Sequence, residues 1–434
     1  MLNHLQRISF VLFGIFLSFS VSAQKELHIH HINVENGDAT MIGIFDVQTQ
    51  HYTSKILIDG GKSTPTKMLI PYIKKMVGDD PGSFHFDYII LTHYHNDHYN
   101  GLMALKTGKL TADSIIDPGG YRVDSLFPSG SHTLSRPKNL TRTLAWLTML
   151  KTASHHTPDP YIKGRSEAFL CFGTDAQTGI GRTFTLGKIG TNKVEIQCVA
   201  GWGNTITDNG IEPNPQPSRT NANDYTLAFI VSCGEFRYFI GGDLGGTKGS
   251  PYIDQETPLT TYLESEYPKS VSSDGDSTAK GHICGFKSNH HGSNNSNTAP
   301  FMQGMRPAIT ITSAGNTESW HLPNPVYLKR LAAVHALSES SSNPSGTFNR
   351  GVYITNLYNW TGFASKTIAN TLFKNKPGVS YDYGNNTASA KGSYMIKVTD
   401  ENDLKTKSEF EVGRVDISKA VPYKKLAFFF CHTK

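Results

Sequence analysis

The segment that most constrains this chain is His93-Tyr94-His95-Asn96-Asp97-His98, which places three imidazoles and one carboxylate within six residues. It directly follows the apolar run Tyr88-Ile89-Ile90-Leu91, which is typical of a buried strand. Beyond the strand end, a curled loop can turn the first two histidines toward one metal ion and the aspartate and last histidine toward a second. Enzymes that hydrolyse phosphate or acyl bonds commonly use two metal ions held close together. The alternative, a polar surface loop that happens to contain histidines, is disfavoured by the regular HxHxDH spacing.

Four further motifs accompany the histidine motif in a fixed order along the chain. They are Gly37-Asp38, Asp59-Gly60-Gly61, Gly241-Gly242-Asp243 and His290-His291-Gly292-Ser293. With the histidine motif, they resemble the metallo-β-lactamase superfamily, and their order resembles its ComEC-like branch, named for the domain attached to a DNA-uptake channel. The resemblance spans about residues 26 to 336.

The resemblance implies a ligand set for two divalent metal ions, zinc or manganese. Asp243 would bridge the ions, because each carboxylate oxygen can face a different cation. The other implied ligands are His93 and His95 for the first ion, and Asp97, His98 and His291 for the second. His290 is the alternative to His291, which is preferred because His-Gly-Ser best matches the final motif of the superfamily. His290 would then support the ligands or contact substrate.

One feature departs from the β-lactamases and glyoxalase-like enzymes of the superfamily. Those enzymes supply a third histidine to the first metal about twenty residues before the bridging aspartate, where this chain has Asn223-Asp224. ComEC-like chains share this pair. Asp224 is therefore predicted to ligate the first metal through oxygen, which favours manganese or magnesium over zinc. The alternative is that Asn223 caps a turn and Asp224 is solvated.

Other polar residues have weaker predicted roles. His321 stands where ComEC-like chains carry Gly-His-Pro, so it is predicted, with Asp97, to be catalytic and to bind the leaving group or donate a proton. A packed loop histidine is the alternative. Asp38 and Asp59 are predicted either to bond the loop amides and ligand histidines or to be ordinary turn residues. The histidines of residues 28–31 lie in a predicted strand, where only alternate ones share a face.

The first 23 residues predict a secretory signal peptide. Arg7 precedes an apolar stretch, and Ala23 provides a small residue before Gln24, so the mature chain is predicted to begin near Gln24 in the periplasm or outside the cell. An uncleaved N-terminal anchor is the alternative, although the apolar stretch is short for a membrane span. No later segment is long and apolar enough to cross a membrane. The five cysteines show no CxxC spacing, which argues against a cysteine metal site.

The pattern of apolar residues predicts a mixed α/β chain in which strand, loop and helix alternate. The resemblance implies a four-layer αββα metallo-β-lactamase sandwich, with the metals at the mouth between two sheets. Residues 24–336 would form this domain, with an insertion at about 107–222 that includes a helix over 139–154. Residues 337–434 are predicted to be a linker and a small β-rich C-terminal appendage.

These features predict an exported dinuclear metal-dependent hydrolase, most consistent with a phosphodiesterase or nuclease-like enzyme that uses a metal-bridged hydroxide. The substrate would be a small molecule or a phosphodiester, single-stranded nucleic acid included. The net charge of +5 without a block of Lys and Arg argues against a dedicated duplex-DNA binder. The alternatives are a lactonase or β-lactamase-type acyl hydrolase, and a binding protein with a degenerate metal centre.

Overall fold

Two β-sheets make up the centre of the molecule and bury most of its apolar side chains between them. The computed structural model of the chain describes residues 24–62, 64, 67–78, 84–118, 146, 179–201, 203–207, 209–212, 221–246, 252–266, 283–305, 307–315, 320–336, 350–359, 362–384, 392–399 and 408–431. The predicted signal peptide, most of the predicted insertion with its helix, and the predicted linker lie outside the described residues.

The first sheet has eight strands in the order β18-β17-β16-β1-β2-β3-β4-β5. Its strands are antiparallel except for the parallel pairs β3 with β4 and β4 with β5. The strands are β1 Lys25–His31, β2 Thr40–Asp46, β3 His51–Ile58, β4 Phe84–Ile90, β5 Leu110–Ile116, β16 Ser393–Thr399, β17 Ser408–Val415 and β18 Tyr423–Cys431.

The second sheet follows the order β15-β14-β13-β12-β11-β10-β7-β8-β9, with β6 paired to β7. The five strands from β11 to β15 are parallel neighbours. The strands are β6 Thr183–Ile189, β7 Asn192–Gly201, β8 Asn204–Thr207, β9 Gly210–Glu212, β10 Ala228–Cys233, β11 Phe236–Ile240, β12 Gly285–Lys287, β13 Ile309–Thr312, β14 Arg350–Ile354 and β15 Val379–Tyr383.

Helices cover the outer faces of both sheets, which gives the expected αββα layering. Helix α1 packs on the first sheet through Tyr72, and four helices form a second apolar core with the outer face of the second sheet. Within the described residues, no helix is long and apolar enough to cross a membrane. The α-helices are α1 Leu69–Val77, α2 Asn96–Tyr99, α3 Glu256–Glu266, α4 Ala299–Met305, α5 Pro325–Ala336 and α6 Ser365–Phe373.

The sequence predicted a separate β-rich C-terminal appendage, but the C-terminal strands instead belong to the two central sheets. β14 and β15 extend the second sheet beside β13, and β16 pairs with β1, so that β16, β17 and β18 complete the first sheet. The physical reason is that β1 and β13 would otherwise be open edges, and a paired strand satisfies the backbone groups of an edge. Both halves of the chain therefore contribute to the fold that carries the site.

Parallel pairing brings the predicted functional loops to one region. The histidine motif follows β4, Asp243 follows β11, and the His290-His291 loop follows β12. Because β11 and β12 are parallel neighbours, their C-terminal ends lie side by side at the same edge of the sheet. The histidine motif leads into the short helix α2, which is followed by a 3₁₀ helix over Asn100–Thr107.

The buried histidines of β1 alternate between the two faces of the first sheet. His28 and His30 both contact the Tyr52 hydroxyl on the outer face, at 2.9 and 2.8 Å. His31 faces the second sheet, and its Nε2 lies 2.8 Å from the Tyr238 hydroxyl. Burial, with a smaller contribution from a nearby lysine, lowers the pKa of His31 to about 3.

This low pKa predicts a specific acid sensitivity. Unfolded His31 takes up a proton near its ordinary pKa of 6.5 whereas the folded residue stays neutral to about pH 3, so its stabilising contribution is present above pH 6.5 and is lost as the pH falls. The change His31→Asn should reduce the slope of unfolding free energy against pH by up to about 1.4 kcal/mol per pH unit between pH 4 and 6. Urea titrations at several pH values measure this slope. The exposed control His51→Asn should leave it unchanged, and equal slopes for both variants would contradict the prediction.

Candidate metal centre

The carboxylate of Asp243 is the centre of the site, and its two oxygens face different groups of ligand atoms. Its side chain is buried directly after β11. Oδ2 lies 3.6 Å from Nε2 of His93. Oδ1 lies 3.4 Å from Nε2 of His98 and 3.5 Å from Nε2 of His291. Two atoms bound to one metal at about 2.1 Å are separated by such distances, so the carboxylate can bridge two ions.

The first group of ligand atoms comes from His93, His95 and Asp243. Nε2 of His93 and Nδ1 of His95 are 3.1 Å apart, and the ligand atoms of all three residues lie within 4.8 Å of one another. The histidine loop turns immediately after β4, so that the two imidazoles converge although they are two residues apart in sequence. The structure therefore brings together the residues predicted for the first ion.

The second group comes from His98, Asp243 and His291, with Asp97 beside them. The Oδ2 atom of Asp97 lies 3.4 Å from Nε2 of His291. Asp38 also has a ligand atom within 4.8 Å of those of His98, Asp243 and His291. The structure therefore brings together the residues predicted for the second ion and adds the Asp38 carboxylate, for which the sequence predicted either a supporting role or that of an ordinary turn residue.

Unsatisfied polar atoms in the second group fit one divalent cation. Nε2 of His98, Oδ1 of Asp243 and Nε2 of His291 are buried and have no hydrogen-bond partner among the described residues. Buried polar atoms normally have partners, so three unpaired lone-pair donors aimed at one point need an explanation. Imidazole nitrogen and carboxylate oxygen together suit zinc and manganese, and a bound cation would satisfy all three atoms.

Supporting hydrogen bonds fix the ligand histidines. Asp59 Oδ2 lies 2.8 Å from Nδ1 of His98, and the same carboxylate accepts hydrogen bonds from the backbone N–H and the hydroxyl of Thr92. Nδ1 of His291 lies 3.0 Å from the carbonyl oxygen of Ser313. A ligand histidine that donates its second N–H in this way presents Nε2 to the metal. Asp59 therefore has the supporting role that the sequence predicted, rather than that of an ordinary turn residue.

A buried cation holds Asp38 close to the second group. The Nζ atom of Lys287 lies 2.5 Å from Oδ2 of Asp38 and donates to the carbonyl oxygens of Gly242 and Ser288 at 3.0 Å. Burial by itself would raise the pKa of Asp38, but Lys287 and His291 lower it to about 2. The one ammonium group thus ties the Asp38 loop to the two loops that carry Asp243 and His291. No role was predicted for Lys287, because its only sequence signal is its position at the end of an apolar strand.

The predicted ligand Asp224 lies outside both groups. Its Oδ1 atom accepts a hydrogen bond from the backbone N–H of Ile253 at 2.8 Å, and its side chain is buried rather than solvated. Its neighbour Asn223 lines the pocket above the site, and the Asn223 amide nitrogen lies 3.3 Å from Nε2 of His290. The oxygen ligand predicted for the first ion is therefore not delivered by Asp224 in this arrangement.

The predicted catalytic residue His321 packs beside the pocket. Its ring lies against Phe363, with ring centroids 4.0 Å apart, while its neighbours Trp320 and Leu322 line the pocket. This placement corresponds to the packed loop histidine that was the alternative interpretation. Trp320 is 68% exposed at the rim.

A pocket of about 360 Å³ opens above the ligand groups. Its volume lies within the range of small-molecule sites. Ligand residues form its floor, and its walls are polar except at the rim. Its wall includes Lys62, Asn221, Asn223 and Tyr252, and Trp320 lies at its rim.

Comparison with known proteins agrees with this architecture. Residues 50–109, which contain the histidine motif, match the family model of the metallo-beta-lactamase superfamily. No curated protein sequence matches the chain. The two-sheet fold, its helical layers and the matched segment together support a metallo-β-lactamase sandwich with a candidate dinuclear metal centre.

Several solved structures are similar to this chain at low sequence identity. The metallo-beta-lactamase fold protein YhfI from Bacillus subtilis is 12% identical over 76% of this chain and 96% of its own, with a TM-score of 0.36. Unliganded yeast PDE1 is 12% identical over 86% of this chain and 99% of its own, with a TM-score of 0.39. The short form of human tRNase Z is 13% identical over 67% of this chain and 93% of its own, with a TM-score of 0.29.

The shared carboxylate predicts how metal binding divides between the two groups. Asp243→Asn should weaken the binding of both ions, because the amide places no negative charge between the two cations. Asp97→Asn should weaken the binding of the second ion only. Metal content after dialysis, measured by inductively coupled plasma mass spectrometry, should fall below one ion per chain for Asp243→Asn and stay near one for Asp97→Asn. The exposed control Asp113→Asn should keep the wild-type content, and wild-type content in Asp243→Asn would contradict a bridging role.

Proposed function

We propose that this protein is an exported dinuclear metal-dependent hydrolase of the ComEC-like type that cleaves phosphodiester bonds. The observation that carries the proposal is the Asp243 carboxylate, whose oxygens face two separate groups of buried ligand atoms. Proteins of this superfamily are mostly metal-dependent hydrolases. Two bound cations supply Lewis acidity and activate water near neutral pH. The ligands would be His93 and His95 on one side, and Asp97, His98 and His291 on the other.

The wall of the pocket favours an anionic substrate. Lys62 lines the pocket, its side chain is exposed, and its ammonium group has no carboxylate partner in the part of the chain that the structure describes. A positive charge beside a metal site attracts and orients an anion such as a phosphodiester. Burial and the nearby Asp243 raise the pKa of Tyr252, so its hydroxyl stays protonated and can donate a hydrogen bond to a substrate oxygen.

The pocket and the charge distribution favour a small or single-stranded substrate over a duplex. The reactive floor lies in a pocket of about 360 Å³, and Lys62 is the single Lys or Arg among its lining residues. Duplex-binding proteins instead neutralise many phosphates along an extended basic surface. We therefore propose a nucleotide, a single-stranded nucleic acid or another small phosphodiester as substrate.

The placement of Asp224 removes the basis for the predicted preference for manganese. The predicted preference for manganese depended on Asp224 as an oxygen ligand, and its carboxylate instead accepts a hydrogen bond from Ile253. The remaining ligands are imidazoles and carboxylates, which suit zinc as well as manganese. Both metals are therefore proposed, and both belong in the assay.

Export is supported by the first 23 residues and by the chemistry of one cysteine. Cys284 is disulfide-bonded, whereas Cys198 and Cys233 are free and buried. Structural disulfides persist in oxidising compartments such as the periplasm and the extracellular space. The disulfide of Cys284 therefore favours the proposed export.

A substrate panel tests the proposed activity. With Mn²⁺ or Zn²⁺ restored to metal-free protein, bis-p-nitrophenyl phosphate should be hydrolysed, and nitrocefin and a simple lactone should not. Lys62→Ala should raise KM for the phosphodiester with little change in kcat, because an exposed cation contributes to substrate binding rather than to the ligand set. Lys188→Ala, at an exposed residue that does not line the pocket, serves as the control. Efficient turnover of nitrocefin or the lactone, with no phosphodiesterase activity, would replace the proposal with an acyl hydrolase.

Export is tested on the protein isolated from its natural source. Intact-mass measurement of the protein recovered from the periplasm or the medium should give a chain that begins near Gln24. A full-length chain that retains Met1 and is found in the cytosol would rule out export by a cleaved signal peptide.

A further inference from the structure

We propose that His290 supplies the third imidazole of the first metal site, in the place of the histidine that β-lactamases of this superfamily take from before the bridging aspartate. The inference rests on the metal centre in the proposed function, and it assigns adjacent histidines to different ions. The ligands for the first ion then become His93, His95, His290 and Asp243.

The backbone of the loop after β12 turns both histidine side chains into the pocket. His290 and His291 have φ values of 49° and 53°, in the left-handed region that residues with a side chain rarely adopt. Such strain persists only where the surroundings enforce it, and it clusters at functional sites. The backbone N–H of His290 donates to the carbonyl oxygen of Gly242 at 2.9 Å, which anchors the loop directly beside Asp243.

The two imidazoles face different oxygens of the bridging carboxylate. Nε2 of His291 is 3.5 Å from Oδ1 of Asp243, the oxygen that also faces His98. Nε2 of His290 is 3.8 Å from Oδ2, the oxygen that also faces His93. Each side of the carboxylate is therefore shared by one histidine from the motif after β4 and one from the loop after β12.

Neighbouring side chains hold the His290 ring toward the first group. It meets the ring of Tyr252 nearly at right angles, with centroids 5.1 Å apart. Its Nε2 accepts a hydrogen bond from the amide nitrogen of Asn223 at 3.3 Å, and a metal ion on Nε2 would replace that bond. Asp224, the residue that could otherwise complete the first site, accepts the backbone hydrogen bond of Ile253. His290 is thus the nearest additional imidazole on the Oδ2 side of Asp243 among the described residues.

This assignment reverses the metal preference inferred from the sequence. Three imidazoles and one carboxylate form a nitrogen-rich site that suits zinc better than an oxygen-rich site does. The first site should therefore bind Zn²⁺ more tightly than Mn²⁺.

Metal binding by single variants tests the assignment without reference to any substrate. His290→Gly keeps the left-handed backbone at no steric cost and removes the imidazole. Titration calorimetry with Zn²⁺ should show one site unchanged and the other weakened at least about tenfold, the lower bound seen when even a supporting partner of a ligand is lost. His290→Asn, which also tolerates this backbone, should weaken the same site. The controls His321→Ala and Asp224→Asn should keep both sites, with folding checked by circular dichroism.

Double variants identify which ion His290 holds. If His290 and His93 share one ion, His93→Ala combined with His290→Gly should retain one zinc per chain after dialysis. His98→Ala combined with His290→Gly should retain none. Wild-type zinc affinity in His290→Gly, or loss of both ions only in the His93 combination, would overturn the assignment. A wild-type protein that binds two zinc ions but hydrolyses no phosphodiester would refute the proposed activity and leave this test intact.

Discussion

The buried carboxylate of Asp243 is the constraint on which the rest of the site depends. It is almost fully enclosed, and four imidazoles have a ring nitrogen within 3.4 to 3.8 Å of its oxygens. Burial penalises its charge, yet these histidines hold the pKa of Asp243 well below its ordinary value, so it stays ionised. A buried anion is stable only beside positive charge. Protonated imidazoles provide that charge in the metal-free site, and bound divalent cations would replace those protons on the same nitrogen atoms.

The fold serves this carboxylate by bringing separate loops to one edge of the sandwich. β11 and β12 run parallel, so Asp243 and the histidine loop emerge side by side, and the loop after β4 reaches them from the other sheet. Lys287 then links the Asp38 loop to both of the neighbouring loops through its ammonium group. Close approach is also required at Gly37, which has a φ of 91° and where an added Cβ would lie 1.6 Å from the carbonyl oxygen of Asp97. Ligand geometry is thus set by backbone packing as much as by the ligands.

The sequence predicted the features that depend on neighbouring residues and missed those that depend on contacts between residues far apart in the chain. The strand before the histidine motif was predicted because apolar periodicity is local. The C-terminal strands were assigned to an appendage because strand pairing between residues more than 300 apart, such as Ile29 with Ile396, leaves no local signal. The orientation of His290, the hydrogen bond of Asp224 to Ile253 and the packing of His321 on Phe363 likewise depend on tertiary contacts. The sequence signal that could have indicated two ligands in the final motif was the adjacent histidine pair itself.

A crystal structure of the zinc-loaded protein, with anomalous scattering recorded at the zinc edge, tests the bridging role of Asp243 most directly. Two peaks should appear on opposite sides of the Asp243 carboxylate, each about 2.0 Å from one of its oxygens. One peak should lie within coordination distance of His93, His95 and His290, and the other of Asp97, His98 and His291. A single peak, or a first ion coordinated by Asp224 with His290 turned away, would contradict the account.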